Sequence, residues 1–272
     1  MNSVTGSLAK MQISTGDPVE YRLPLTEAGI AMNPLLGERV EFRFGGDISC
    51  LHCGRRTKKS YSQGFCYPCF KKLPQCDLCI MSPDRCHYDA GTCRDPAWAQ
   101  SFCFQPHVVY LANSTGLKVG ITRRENLPGR WLDQGARQAI VVATTSTRQQ
   151  CGLVERALKS HVTDRTDWRA LVKGESPVLD MACEAAAMRT LMADAFRELQ
   201  ARFPGQLSWV DEPPHSFAFP VVDYAGKKQS LKLTPDTPVS GQLRGIKGQY
   251  LLLDTGVFNV RAHTSYRVEF IC

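Results

Sequence analysis

Nine of the chain's twelve cysteines fall between Cys50 and Cys103, and no other feature of the sequence limits its folding as much. Cys50, Cys53, Cys66 and Cys69 read as Cys-x2-Cys, a twelve-residue gap, then Cys-x2-Cys again. Two residues between thiolates let one tight turn present both sulfurs to a tetrahedral ion, while the gap closes a short hairpin. The spacing predicts a zinc-ribbon-like module. Cys76, Cys79, Cys86 and Cys93 open with a third Cys-x2-Cys and continue with two single cysteines. A second structural Zn2+ and an iron–sulfur cluster both fit that pattern. Cys103, His87 and His107 are spare ligands, able to replace one of these or to support it from outside.

The chain opens Met1-Asn2-Ser3-Val4-Thr5-Gly6, with no basic leader, and no window approaches eighteen apolar residues. No membrane partner is expected, and the location read from this is cytoplasmic. In a reducing compartment, metal explains crowded cysteines better than disulfides do. Cys151, Cys183 and Cys272 stand apart and read as small hydrophobes or free thiols. The formal charge is +7, and its placement says more than its size. Between Leu51 and Gln75 lie Arg55, Arg56, Lys58, Lys59, Lys71 and Lys72, with no acid among them. A one-sided cationic run of this kind points to nucleic acid, RNA or DNA, held by its phosphates. Tyr61, Phe65, Tyr67 and Phe70 interleave with the cations, either as platforms for bases or as the small module's own core.

Taken in order, the sequence predicts an α+β protein of several modules. Residues 1–48 read as an N-terminal β unit that includes the alternating Arg39-Val40-Glu41-Phe42-Arg43-Phe44, and 49–104 as the cysteine-rich module. Residues 105–175 read β, β, α, β, α: strands at His107–Ala112 and Leu117–Thr122, a short helix after Pro128, a strand at Ala139–Thr144, and a helix from about Thr147 to His161. A polar turn follows at Thr163–Arg169. Residues 176–204 read as one long helix running from Pro177 to Phe203, a brace with Leu191, Ala195, Phe196 and Leu199 as its packing face. Residues 205–272 read as a small basic β domain with a hairpin at Tyr250–Val260, carrying Lys227, Lys228 and Lys232 among its cations. Arg39-Val40-Glu41-Phe42 recurs as Arg267-Val268-Glu269-Phe270, so the two end units are expected to pack together with the middle of the chain inserted between them.

Val108-Val109-Tyr110, then Lys118-Val119-Gly120 followed by Ile121-Thr122, then Arg130 and Glu155, resemble in order and spacing the GIY-YIG endonuclease superfamily, over residues 107 to 158. The resemblance implies a small GIY-YIG-like domain in which Arg130 stabilises a transferring phosphate and Glu155 holds Mg2+ or Mn2+. Lys118 stands where the superfamily has its second tyrosine, and Gln134 where a histidine or tyrosine is usual. Over the full length, runs such as Arg130-Trp131-Leu132-Asp133-Gln134-Gly135-Ala136 and Gly245-Ile246-Lys247-Gly248-Gln249-Tyr250 also resemble an uncharacterised bacterial family, a catalogued domain of unknown function.

The chemistry can be argued without either resemblance. Phosphodiester hydrolysis needs a divalent ion, a cation for the equatorial oxygens and a base for water. Glu155, Arg130 and Tyr110 are candidates for those roles, with Lys118 expected to stay protonated and clamp the phosphate. Arg123 joins the cations expected to touch nucleic acid. The leading expectation is a zinc-containing nucleic-acid-binding protein with metal-dependent phosphodiester cleavage. The alternatives are a non-catalytic nucleic-acid-binding module and a zinc-based protein-interaction scaffold.

Overall fold

A computed structural model describes residues 3–159, 167–224 and 229–272. The end of the helix expected up to His161, most of the turn expected at 163–169, and Lys227 and Lys228 lie outside the described residues. The described residues are mixed α+β with three sheets. Strands and α-helices are numbered in chain order.

Both chain ends enter one sheet. Strands β1 (Ser3–Ser7), β5 (Arg39–Ile48), β11 (Ser230–Leu231), β12 (Val239–Lys247), β13 (Tyr250–Leu253), β14 (Gly256–Asn259) and β15 (Tyr266–Ile271) form a seven-stranded sheet in the order β1-β15-β5-β12-β13-β14-β11. The repeated Arg-Val-Glu-Phe runs lie side by side in it, antiparallel, with Phe42 opposite Phe270 and Phe44 opposite Val268. Period-2 alternation drives Val40, Phe42 and Phe44 inward, where Phe42 meets Phe270 at 4.7 Å and Phe258 at 5.0 Å between ring centroids. Each such ring contributes about 1.5–3 kcal/mol by leaving water. A three-stranded sheet of β2 (Gln12–Ser14), β3 (Glu20–Leu23) and β4 (Ile30–Ala31) brings Met11, Tyr21 and Leu23 to the same core.

The second large sheet has the order β10-β8-β6-β7, with β9 also on β8. It contains β6 (His107–Asn113), β7 (Leu117–Arg123), β8 (Gln138–Thr145), β9 (Leu207–Trp209) and β10 (His215–Ser216). Every residue of β6 is buried, because both faces of this strand are covered. Val109 and Leu111 face a core shared with α5 (Arg148–Leu158), α7 (Met181–Leu191) and α8 (Ala193–Arg202). Val108, Tyr110 and Ala112 face the other way, toward Trp131 of α4 (Gly129–Asp133). A Thr147–Gln150 capping box starts α5, and Cys151, Val154 and Leu158 give it one apolar face.

The single long helix expected from Pro177 is two helices. The first starts at Met181, where the Asp180 carboxylate accepts from the Cys183 N–H, and the path breaks at Met192. Met181, Ala185, Met188 and Phe196 are buried, so the pair covers the sheet rather than spacing modules apart, and Leu191, expected to pack, is 55% exposed. No helix among the described residues is long and apolar enough to cross a membrane.

The cysteine segment carries short helices, α1 (Tyr67–Lys72), α2 (Leu78–Met81) and α3 (Pro96–Phe102), and it docks tightly on α5. A Cβ added at Gly152 of α5 would lie 2.6 Å from Pro83 and 2.7 Å from the Asp84 nitrogen, so only glycine allows this approach. Trp168–Leu171 forms α6.

Candidate metal centre and phosphate site

The sulfurs of Cys50, Cys53, Cys66 and Cys69 all lie within 4.8 Å of one another. Local folding brings them there. The Cys50–Cys53 turn closes with the Gly54 N–H on the Cys50 carbonyl at 2.9 Å, the Tyr61–Phe65 bridge returns the chain, and Cys66 caps α1 with Cys69 one turn on. Four thiolates about 2.3 Å from a zinc stand about 3.8 Å apart, and Cys53 and Cys66 are separated by 3.7 Å. The cluster fits a structural zinc. Burial would raise the Cys50 thiol, but N–H groups of Cys53, Cys66 and His52 turned toward it bring it down to about 6. Cys69 goes the other way, to about 12, through burial and then the three neighbouring sulfurs. Thiols that cannot all ionise together are what a cation at their centre relieves.

In the second cysteine set, burial raises the Cys76 thiol above its usual range, while a hydrogen bond with Ser62 and the charge of Arg94 lower it again. The Cys79 thiol is pushed up to about 11 by burial and then by the charges around it, Asp77 and the sulfurs of Cys86, Cys103 and Cys93. Of the spare histidines, His87 sits against Asp77, whereas His107 is fully buried on β6 with Nδ1 2.7 Å from the Gln105 carbonyl; burial brings its imidazole down to about 4.

The residues matched to phosphate chemistry come from β6, β7, α4 and α5. Tyr110 pairs with Gly120 across β6 and β7, and its ring lies flat over that glycine: an added Cβ would meet the ring and hydroxyl at 2.5 Å. The glycine of Lys118-Val119-Gly120 is therefore a seat for the tyrosine of Val108-Val109-Tyr110. Lys118 pairs with Ala112 and projects on the same face, diagonal to Tyr110. The Tyr110 hydroxyl donates to Gln134 Oε1 at 3.2 Å. Burial raises its phenol above the usual range, Arg130 pulls it down both by charge and by hydrogen bond, and Glu155 pushes it up again.

Lys118 is 3% exposed, and burial, with Arg130 nearby, lowers its amine to about 7. Removal of water from around the amine is the main cause. Glu155, with 12% of its side chain exposed, is held by Lys159 at 3.4 Å. Helix α4 is tied to the far sheet: Gln249 donates to Asp133 at 3.0 Å, and Lys10 reaches the same carboxylate at 2.8 Å. The runs around Arg130 and Lys247, far apart in sequence, meet there.

The expected nucleic-acid contacts divide into two groups. Arg55, Lys58, Lys59, Lys71 and Lys72 are exposed, with Lys59 5.2 Å from the Tyr61 ring. Tyr61 in turn stacks with Phe70, while Tyr67 is 54% exposed and offers a free ring face. Arg56 is exposed but paired with Asp47 at 2.5 Å. Arg123 is half-buried, pairs with Glu125 at 2.6 Å and lies over the Phe102 ring, so it is partly committed to the fold. Sequence reasoning missed Gln249 and Asp133, which nothing local marks as partners.

Fold and site define an α+β protein with a four-cysteine cluster suited to zinc. The chain belongs to the family described as protein of unknown function (DUF2797), whose model matches residues 37–268, covering both cysteine sets and the Tyr110–Glu155 region. No curated protein and no solved structure matches it.

Proposed function

We propose that the chain binds nucleic acid through the cationic face of the first cysteine module and cleaves phosphodiester bonds slowly, with a divalent ion, beside Arg130. The observation that carries this reading is the arrangement on one face of β6 and β7, where Tyr110 lies against Gly120 with Lys118 diagonal to it, while Arg130 hydrogen-bonds the Tyr110 hydroxyl and the charge of Glu155 is felt there. The element order β6, β7, α4, β8, α5 is the order the GIY-YIG resemblance implies. Glu155 is the hard oxygen ligand for Mg2+ or Mn2+, exchanging Lys159 for the ion. Such an ion, when bound, polarises the phosphate and neutralises its charge. Arg130 acts on the equatorial oxygens. The role of base passes from Tyr110, whose phenol burial makes less acidic, to Lys118, which changes protonation near neutrality.

A second reading, a phosphate clamp without hydrolysis, is favoured by one observation: the Tyr110 hydroxyl is buried and already engaged by Gln134. A panel of RNA and DNA substrates incubated with Mg2+ or Mn2+ separates the two. Cleavage should be abolished by Glu155→Gln with zinc content and binding unchanged, and Arg130→Ala should lose more cleavage than binding. A panel that survives intact with every ion, under tight binding, leaves the clamp.

A further inference from the structure

Asp77, Cys79 and His87 bring donor atoms within 4.8 Å of one another, which marks this segment as a second place where a cation fits. The carboxylate and imidazole, however, are already committed. Asp77 caps α2 by accepting from the Leu78 N–H at 2.6 Å, accepts from Arg94 Nε at 3.1 Å, and faces His87 Nε2 at 3.3 Å. The other imidazole nitrogen of His87 lies 2.8 Å from the Thr92 hydroxyl. Cys79, Cys86, Cys93 and Cys103 line one small void of about 20 Å³ together with Asp77 and His87, and Cys76 is not among its lining. A space of that volume holds about one water-sized body.

We propose that Cys79, Cys86, Cys93 and Cys103 hold a second zinc with four thiolate ligands, that Cys76 is not a ligand, and that the Asp77–His87 pair, which lines the same void but is tied to Leu78, Arg94 and Thr92, steadies the loop without binding the ion. The chemistry favours this set, since thiolates select zinc and a tetrahedral site with four protein ligands is the structural form. Hydrogen bonds from groups around a metal commonly fix the shape of the loop that carries its ligands. The site also has a structural task. The Arg148 N–H donates to the Cys103 carbonyl at 2.8 Å, Gln149 reaches the Cys86 carbonyl at 3.4 Å, and Gly152 abuts Pro83, so this loop is the platform on which α5 sits. The second zinc thereby holds in place the helix that carries Glu155. This inference does not depend on nucleic-acid binding or cleavage.

Zinc analysis of the full chain purified without chelator tests it. The parent should hold two zinc ions, Cys103→Ser one, and Cys76→Ser and His87→Ala two each. One zinc in the parent overturns the proposal, as does loss of metal on Cys76→Ser or His87→Ala with Cys103→Ser unaffected. A brown iron-containing protein overturns the choice of zinc. Should Cys103→Ser fail to fold, alkylation of the native parent gives the same answer. Cys79, Cys86, Cys93 and Cys103 should react only after chelator is added, and reaction at all four without chelator, while Cys53 is protected, contradicts the site.

Discussion

The first cysteine quartet and the surroundings of Arg130 are built on opposite plans. The quartet gathers its four sulfurs from twenty residues of chain, Cys50 to Cys69, and sits beneath cations that face water. The Arg130 site draws on two strands and two helices and buries Tyr110 and Lys118 almost completely. Exposed charge is stable as it stands and attracts phosphate over a distance set by salt. Buried charge lowers the stability of the fold and gains in chemical effect, because a dry site strengthens each interaction within it. In the proposed reading binding and chemistry belong to different regions, and changes in one should leave the other standing.

The largest effect is expected from Cys53→Ser. Structural zinc sites in small modules are worth roughly 10–16 kcal/mol at neutral pH, so the variant should lose that zinc and the fold of residues 50–73. Metal analysis with limited proteolysis reads this. Strands β6 to β8 should stay protected, and their cleavage in the variant would break the separation of the two regions.

Lys118→Met sharpens the comparison from the other side. The lysine falls from its ordinary 10.5 to about 7 in the folded chain. Below about pH 7 both folded and unfolded chains carry the proton, and the folded chain holds that charge where burial disfavours it. Between 7 and 10.5 the folded chain releases the proton first, and the cost fades as pH rises. At about 1.4 kcal/mol per unit, the variant should be more stable than the parent by about 3–5 kcal/mol at pH 7, with the gain vanishing near pH 10.5. Denaturant melts across that range measure it, and a gain independent of pH would mean that burial of the charge is not the cause.

Gly120→Ala is expected to cost about 1–3 kcal/mol, the range for overpacking a filled space, because its Cβ would fall inside contact distance of the Tyr110 ring. In Tyr110→Leu the same change should cost less, so a double-mutant cycle by chemical denaturation should show positive coupling. Additive costs would mean that the ring does not rest on the glycine.

What could be read from the sequence follows the same division. The quartet was legible because its ligands are fixed by two local turns and one hairpin. The second set was less legible: Cys76 opens a Cys-x2-Cys spacing, yet it ends the short turn Pro74–Cys76 with its thiol on Ser62, and Cys103 stands at the end of a helix that no spacing rule places. Tyr110 and Gly120 were found as motif members, but their physical relation, a ring on a bare backbone, appears only when β6 and β7 pair in register. The duplicated Arg-Val-Glu-Phe signalled that the chain ends meet, since identical alternating runs suit adjacent strands. The break at Met192 was hidden, because alanine-rich sequence suits one helix or two equally well.

The central claim is that exposed cations of the cysteine module hold phosphate. Its most direct test is the salt dependence of binding to an unrelated DNA and an unrelated RNA, measured for the parent and for the Lys58→Glu, Lys59→Glu double variant. Each phosphate contact contributes about 0.9 to the slope of log K against log salt on duplex DNA and about 0.7 on single strands. The account expects a steep linear slope for the parent, flattened by roughly 1.5 to 2 in the variant and similar for unrelated sequences. A flat slope for the parent, or a variant indistinguishable from it at low salt, would contradict the account and leave the module as a surface for protein partners.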